Sequence, residues 1–353
     1  MCTSLLAQTI SSDQSNKRVN EPDFNPGEVF EALWNTFNDR YPFFRLRNVD
    51  WNEQYSLFRP KVSAATGDDE LFEIFCEMLS PLNDGHVELK ARTSGSDKKR
   101  YFNPEPVPRF WREFSKKDIK KLFKITKKTL LGNGFGKPQK TPAWILRFCK
   151  STHYGYLRIV ELEDVKKRDL ATALDKILNE LKGLKGVIID IRNNPGGDDS
   201  TVIQIVNRFC DRSRVAFHRK TKLGPGEDEF SPLKTWHMEP QGESQFTGPI
   251  VLLTCDSVFS GGEVFALALR ELPQVTVIGE HTNGIFSYQL EKKLPNRWRY
   301  CLSYQVYLSA DMVCYEGTGV PVDEEILNTK TDIESGVDPL IIRALELLKS
   351  KSE

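Results

Sequence analysis

A serine, a histidine and a carboxylate, each beside glycine in a polar turn, are the residues of this chain best placed for chemistry. Ser260 stands in Leu252-Leu253-Thr254-Cys255-Asp256-Ser257-Val258-Phe259-Ser260-Gly261-Gly262-Glu263. The apolar run at 250–253 predicts a strand and the apolar spacing at 264–269 predicts a helix, so the serine falls at a strand-to-helix junction. The first N–H groups of a helix have no partner and carry partial positive charge, so an oxyanion formed beside Ser260 would be stabilised there. Gly261 and Gly262 would let a substrate carbonyl come close to the backbone. Taken alone, such a serine is more often a plain helix N-cap. Company elsewhere in the chain argues for chemistry.

That company begins with Asp190-Ile191-Arg192-Asn193-Asn194-Pro195-Gly196-Gly197-Asp198, a Pro-Gly-Gly turn after a buried strand. Backbone N–H groups can converge in such a turn, and ligands gather at strand ends in sheets of this type, although a tight turn alone would also account for it. Among the five histidines, His86 follows Asn83-Asp84-Gly85 at an apparent domain junction, whereas His153, His218, His237 and His281 lie in segments without a catalytic pattern. Near the end, Tyr315-Glu316-Gly317-Thr318-Gly319 sets a carboxylate in another glycine-rich loop. A serine nucleophile needs a base, a group that orients the base, and oxyanion donors; the chain holds one candidate for each.

The elements that must position these residues fall into two styles. Residues 1–24 are polar and aperiodic, a flexible lead-in. Asn25-Pro26 has the form of a helix start, with Phe30, Leu33, Trp34 and Phe37 on one face; further helical patterns follow Val49-Asp50-Trp51 and Asp68-Asp69. These predict a helical domain over 25–92 that ends in the His86 turn. Residues 93–150 form a basic connecting segment, in which Lys116, Lys117, Lys120, Lys121, Lys124, Lys127 and Lys128 interleave with Ile119, Leu122, Phe123 and Ile125. With Lys+Arg and Asp+Glu balanced at 49 each, this is a solvated helix face over a packing face, and no nucleic-acid partner is expected. From 151 to 330 strands and helices alternate, which predicts an α/β domain with a largely parallel, buried sheet; a last helix occupies 331–353.

Length allows about two domains and a sizeable core in 353 residues. No apolar run approaches the roughly 20 residues that cross a bilayer. The seven cysteines show neither a CxxC pair nor zinc spacing, and there is no HExxH, so neither a metal nor another cofactor is expected. The first residues lack a complete signal peptide. One option treats Cys2 and residues 11–20 as the stump and tether of a trimmed, lipid-anchored precursor, and an extracytoplasmic compartment, periplasmic or lipid-anchored, is preferred to the cytoplasm. Oligomeric state is not legible.

In order and spacing, Asp84-Gly85-His86, the Asp190 to Gly197 turn, Ser260-Gly-Gly-Glu263, Gly279-Glu280 with Thr282-x-Gly284, Leu294-Pro295-Asn296 and Glu316-Gly-x-Gly-Val-Pro-x-Asp323 resemble the tail-specific, or C-terminal-processing, serine peptidases. The likeness is nearest to their tricorn-like and interphotoreceptor-retinoid-binding-protein-like branch and runs from about residue 28 to 325, including Tyr41-Pro42-Phe43-Phe44. It implies a core similar to the crotonase and Clp peptidase fold, with Ser260 as nucleophile. In the lysine-dependent branch a lysine follows Thr-x-Gly; here that position is Ile285, which cannot accept a proton. His86 is then the general base, and the Glu316 loop resembles the element that supports it. Tricorn-like members carry a serine just before the histidine, where this chain has Gly85, so Glu316 would act directly, through water or through another hydroxyl. Too little chain separates His86 from Tyr156 for a PDZ domain besides the basic segment.

The expected function is therefore serine endopeptidase activity on a peptide or protein: Ser260 attacks, His86 moves the proton, and the N–H of Gly261 with that of Gly196 or Gly197 holds the oxyanion. The rival expectation is a non-catalytic binder of an apolar ligand or peptide, with the aromatics of the helical domain and Phe259 lining a pocket.

Overall fold

The apolar run Ile250–Thr254 becomes an interior strand of a seven-stranded sheet in a computed structural model that describes residues 24–92, 99–163 and 165–351. The sheet runs in the order Glu324–Glu325, Val275–Gly279, Ile250–Thr254, Gly186–Asp190, Tyr154–Ile159, Leu146–Lys150, Gln139–Lys140. The first five are parallel to one another, Leu146–Lys150 pairs antiparallel to Tyr154–Ile159, and Gln139–Lys140 pairs antiparallel to Leu146–Lys150. Successive residues of a strand point to opposite faces, and here both faces are covered. Ile250 and Leu252 join one core with the helices Lys167–Leu181, Asp199–Val206 and Gly261–Leu269, while Val251 and Leu253 join another with the helix Pro339–Ser350. That is why the strand is apolar throughout rather than alternating. The expected α/β architecture with a helical N-terminal part is what the chain adopts.

The N-terminal helices are Pro26–Arg40, capped by Asn25, then Trp51–Phe58, capped by Asp50, and Asp68–Leu79. Phe30, Leu33, Phe37, Leu71 and Phe75 are fully buried among them. Their core is completed from far along the chain: Leu294, Trp298, Tyr300 and Leu302 pack into it. Tyr300 and Leu302 belong to a four-stranded antiparallel sheet ordered Gln289–Lys293, Arg299–Ser303, Glu88–Arg92, Lys99–Phe102, and Leu294 and Trp298 lie in the turn that joins its first two strands. Leu89 therefore lies opposite both Tyr300 and Phe102. The helical unit and the strands near residue 300 thus share one core, a join that the reading of 25–92 as a separate segment did not anticipate.

The basic segment is likewise built in. Its helix Lys116–Gly132 opens on a capping box between Ser115 and Asp118 and buries Leu122, Ile125 and Leu130. All seven lysines of the run are exposed, as expected of a solvated face. The flexible lead-in falls almost wholly outside the described residues. No helix among them is long and apolar enough to cross a membrane.

Candidate active site

Gly186–Asp190 and Ile250–Thr254 are hydrogen-bonded neighbours in the sheet, so the turns that follow them meet at its carboxyl edge. The second turn delivers Ser260 to the head of the helix Gly261–Leu269 in an unusual conformation, φ 56° and ψ −131°. A non-glycine residue held there costs on the order of 1–3 kcal/mol and persists only when its surroundings over-determine it. Those surroundings are visible. The Ser260 N–H donates to the Ile285 carbonyl at 2.8 Å, and its own carbonyl accepts from Glu263 and Val264 at 2.9 and 3.1 Å. Although Ser260 sits at the N-cap position, its hydroxyl makes no capping bond, so the plain N-cap reading does not describe it. The hydroxyl instead faces a crevice of about 730 Å³, lined also by His86, Gly197, Trp111, Phe259 and Tyr288.

The Pro-Gly-Gly turn lies directly against the serine. A Cβ on Gly196 would stand 2.7 Å from the Gly261 N and one on Gly261 would stand 2.2 Å from the Gly197 O, so bare backbone is required on both sides. Gly196 and Gly197 take φ of 98° and 138°, which favour glycine. The two are not equivalent as donors. The Gly196 N–H is given to Asn194 Oδ1 at 2.8 Å, which removes it from the expected pair. The N–H groups of Gly197 and Gly261 have no acceptor among the described residues.

His86 comes from the turn after Ser80–Leu82, where Asn83 adopts φ 45°. Asp84 organises that turn: its Oδ1 accepts from the His86 N–H at 2.8 Å and its Oδ2 from the Tyr41 hydroxyl at 3.0 Å. Burial lowers the His86 pKa below 6.5, with the charges of Asp84 and Glu88 pulling the other way. The imidazole is consequently neutral near pH 7 and able to accept a proton. Its Nδ1 is buried without a hydrogen-bond partner.

Glu316 lies behind the crevice rather than in its lining. Its Oε2 accepts from the Phe286 N–H at 3.0 Å, its Oε1 is 3.7 Å from Arg47 Nη2, and no hydrogen bond joins it to His86. Burial, and next the charge of Asp84, push its pKa well up. The structure therefore gathers Ser260, His86 and Gly197 around one cavity, sets Gly261 against Gly197 beside it, and leaves Glu316 one layer back.

Three residues carry parts that the sequence did not reveal. Glu263 is fully buried in the first turn of the serine's helix, and accepts from Thr282 Oγ1 and from the Gly284 and Ile285 N–H groups, each at 2.6 Å. It clamps the 282–285 loop against the strand-end turn. Glu280 holds Arg109 through both carboxylate oxygens, at 2.9 and 2.6 Å, and so fixes the helix that brings Trp111 to the crevice. Glu105 lines the crevice beside Gly85 and His86, with its pKa pushed up to about 7 by burial.

Comparison with known proteins accords with this geometry. Residues 153–326 match the model of peptidase family S41, and residues 24–80 that of the tricorn protease C1 domain. The carboxy-terminal processing protease CtpA of Bacillus subtilis is 31% identical over 162 residues, 46% of this chain and 32% of that protein. The carboxyl-terminal-processing protease of Synechocystis is 29% identical over 130 residues, 37% of this chain and 28% of that one. The chain thus spans about a third of the length of these curated relatives. A solved candidate peptidase of Parabacteroides merdae superposes with a TM-score of 0.76 at 25% identity, covering 92% of this chain and 97% of its own. Mature CPAF, solved with lactacystin, shares the fold at a TM-score of 0.62 and 12% identity, covering 93% and 97%. By the two family models, taken with the tail-processing relatives, the chain belongs to peptidase family S41.

Proposed function

We propose that the chain is a serine endopeptidase that cleaves peptide or protein substrates through an acyl-enzyme on Ser260. The observation that carries this reading is the strained, uncapped serine at a helix head, sharing one crevice with a neutral histidine. Ser260 Oγ attacks the scissile carbonyl while His86 takes the hydroxyl proton. The oxyanion of the tetrahedral intermediate is held by the N–H groups of Gly197 and Gly261, which cost no reorganisation because the backbone fixes them in advance. Collapse of the intermediate breaks the C–N bond, and the imidazolium returns its proton to the departing amine. Water then enters by the same route and frees the acid. In this scheme Glu316 contributes from behind, through the loop it shares with Phe286.

The rival binder reading finds less support, because Phe30, Phe37 and Phe75 are consumed in packing against one another and their neighbours. As to compartment, we propose a site outside the cytosol; one relative, 22% identical over 48% of this chain, is a chloroplastic processing peptidase of Arabidopsis thaliana. Cell fractionation tests that placement. The activity is tested by a fluorophosphonate probe, which should label the wild type and not Ser260→Ala. A folded wild-type protein that resists the probe and cuts no peptide would remove the proposal.

A further inference from the structure

Gly85 immediately precedes the proposed base, and nothing in its backbone explains why it is glycine, since its φ is not positive. Space explains it. A Cβ there would lie 2.6 Å from Glu105 Oε2, 2.7 Å from Glu105 Cδ and 2.7 Å from Ile285 Cδ1. The absent side chain is what admits the Glu105 carboxylate against the His86 turn.

Glu105 is held in place from several directions. Its own N–H donates to Asn103 Oδ1 at 2.8 Å, and Asn103 Nδ2 donates to the Gly85 carbonyl at 2.8 Å, so one asparagine ties the two segments together. Asn283, which lines an adjoining pocket with Glu105, donates to the Asp256 carbonyl at 3.0 Å, and the next helix is pinned by Arg109 to Glu280. Glu105, His86 and Ser260 line the same crevice. Several buried polar atoms in this part of the molecule lack hydrogen-bond partners: His86 Nδ1, Glu105 Oε1, Glu316 Oε1 and, on Arg47, Nε and Nη2. Buried polar atoms without partners are rare and expensive. Glu316 already receives the Phe286 N–H and faces Arg47 at 3.7 Å, whereas Glu105 makes no ion pair among the described residues.

We infer that Glu105 is a positioning residue for the His86 base, its carboxylate packed into the space left by Gly85 so as to steady the imidazole and balance the imidazolium formed during attack. The inference rests on the peptidase reading above. No proton passes to Glu105; the proton shuttles between Ser260 Oγ, His86 and the leaving amine. Asp84 acts on both members of this pair, Glu88, Glu163 and Asp198 line the same crevice, and Arg47, Asp256 and His281 line an adjoining pocket with Glu105. Because burial holds Glu105 at about 7, its negative charge, and with it the assistance, grows as pH rises through neutrality.

The test is the rate at which a fluorophosphonate inactivates the protein, followed from pH 5 to 9, since that rate reports activation of Ser260 without peptide binding. Glu105→Gln should slow labelling by roughly tenfold at pH 8 and erase the rise around neutrality, with Glu105→Asp recovering part of both. Gly85→Ala should slow labelling comparably by displacing the carboxylate, and should cost less in a Glu105→Ala background, where only the Ile285 Cδ1 contact remains. Wild-type rate and pH profile in a folded Glu105→Gln protein would overturn the inference. So would a Gly85→Ala penalty that is the same with or without Glu105. If those occur while Ser260→Ala is still unlabelled, only this inference falls; a wild type that is not labelled at Ser260 removes it together with the peptidase reading.

Discussion

The two sides of the crevice are built by different means. On one side, Ser260 and Gly197 sit at the ends of adjacent parallel strands, and each residue's placement follows from a few consecutive amides. On the other, His86 rides on a single turn whose neighbours are Tyr41, Asn103, Glu105 and Ile285, spread over 244 residues of sequence between Tyr41 and Ile285. The first side is set by local covalent geometry and a sheet buried on both faces. The second depends on long-range contacts that can be adjusted one at a time, so it is the side where family members can differ and where single substitutions should tune rather than abolish.

The comparison breaks most completely if the two sides do not act as a unit. Ser260→Ala and His86→Ala should each lower peptide hydrolysis by about 10⁴-fold or more, and the double variant should be no worse than either alone. Melting curves near the wild type would show that the loss is chemical. Fully additive effects measured as kcat/KM would mean that serine and histidine work separately.

The same contrast explains what could be read from the residues alone. The strand, the turn and the helix around Ser260 were legible because apolar run, polar turn and helical spacing follow one another within twenty residues. The outward lysines of Lys116–Gly132 were legible for the same local reason. Glu105 was not, because it lies between two prolines, with neither strand nor helix period, and is brought to Gly85 by Asn103 and by the distant Glu280. The strand Gln289–Lys293 escaped notice because four of its five residues are exposed and its pattern is polar. Neither Gly196 nor Gly197 could be chosen from sequence, since the choice turns on which N–H the Asn194 side chain occupies.

On the strand-end side, Gly197→Ala tests how rigid that half is. The new methyl would meet the Leu162 carbonyl at 2.2–2.4 Å, and alanine disfavours a φ of 138°. Displacing the Gly197 N–H should cost about 10²-fold in kcat, as for one oxyanion donor lost, with little change in KM. A loss confined to KM would place Gly197 in substrate binding only.

On the turn side, Tyr41→Phe removes one support and leaves another. Asp84 Oδ2 loses the hydroxyl at 3.0 Å while Oδ1 keeps the His86 N–H at 2.8 Å. Leaving a buried carboxylate oxygen unpaired should lower stability by about 1–3 kcal/mol in urea unfolding. Turnover should fall only a few-fold, because the bond that shapes the histidine turn survives. A collapse in kcat as large as that of His86→Ala would mean that the turn has no redundancy.

The smallest expected effect is also the most specific to the histidine. The neutral imidazole is the active form, so kcat/KM should fall as pH drops through the His86 pKa. Burial lowers that pKa from 6.5, and Asp84 and Glu88 oppose the shift. The limb that belongs to His86 should therefore lie below pH 6.5, separate from the rise around neutrality assigned to Glu105. Glu88 already shares its charge with Lys90 and accepts from Tyr101 Oη at 3.1 Å, so only a screened remainder reaches the imidazole. Glu88→Gln removes that remainder, which weakens the protonated form and should move the limb slightly further toward acid, with the plateau rate unchanged. A shift toward alkali would mean that Glu88 acts on the limb through geometry rather than charge, and an acid limb that persists in His86→Ala would assign the titration to another group.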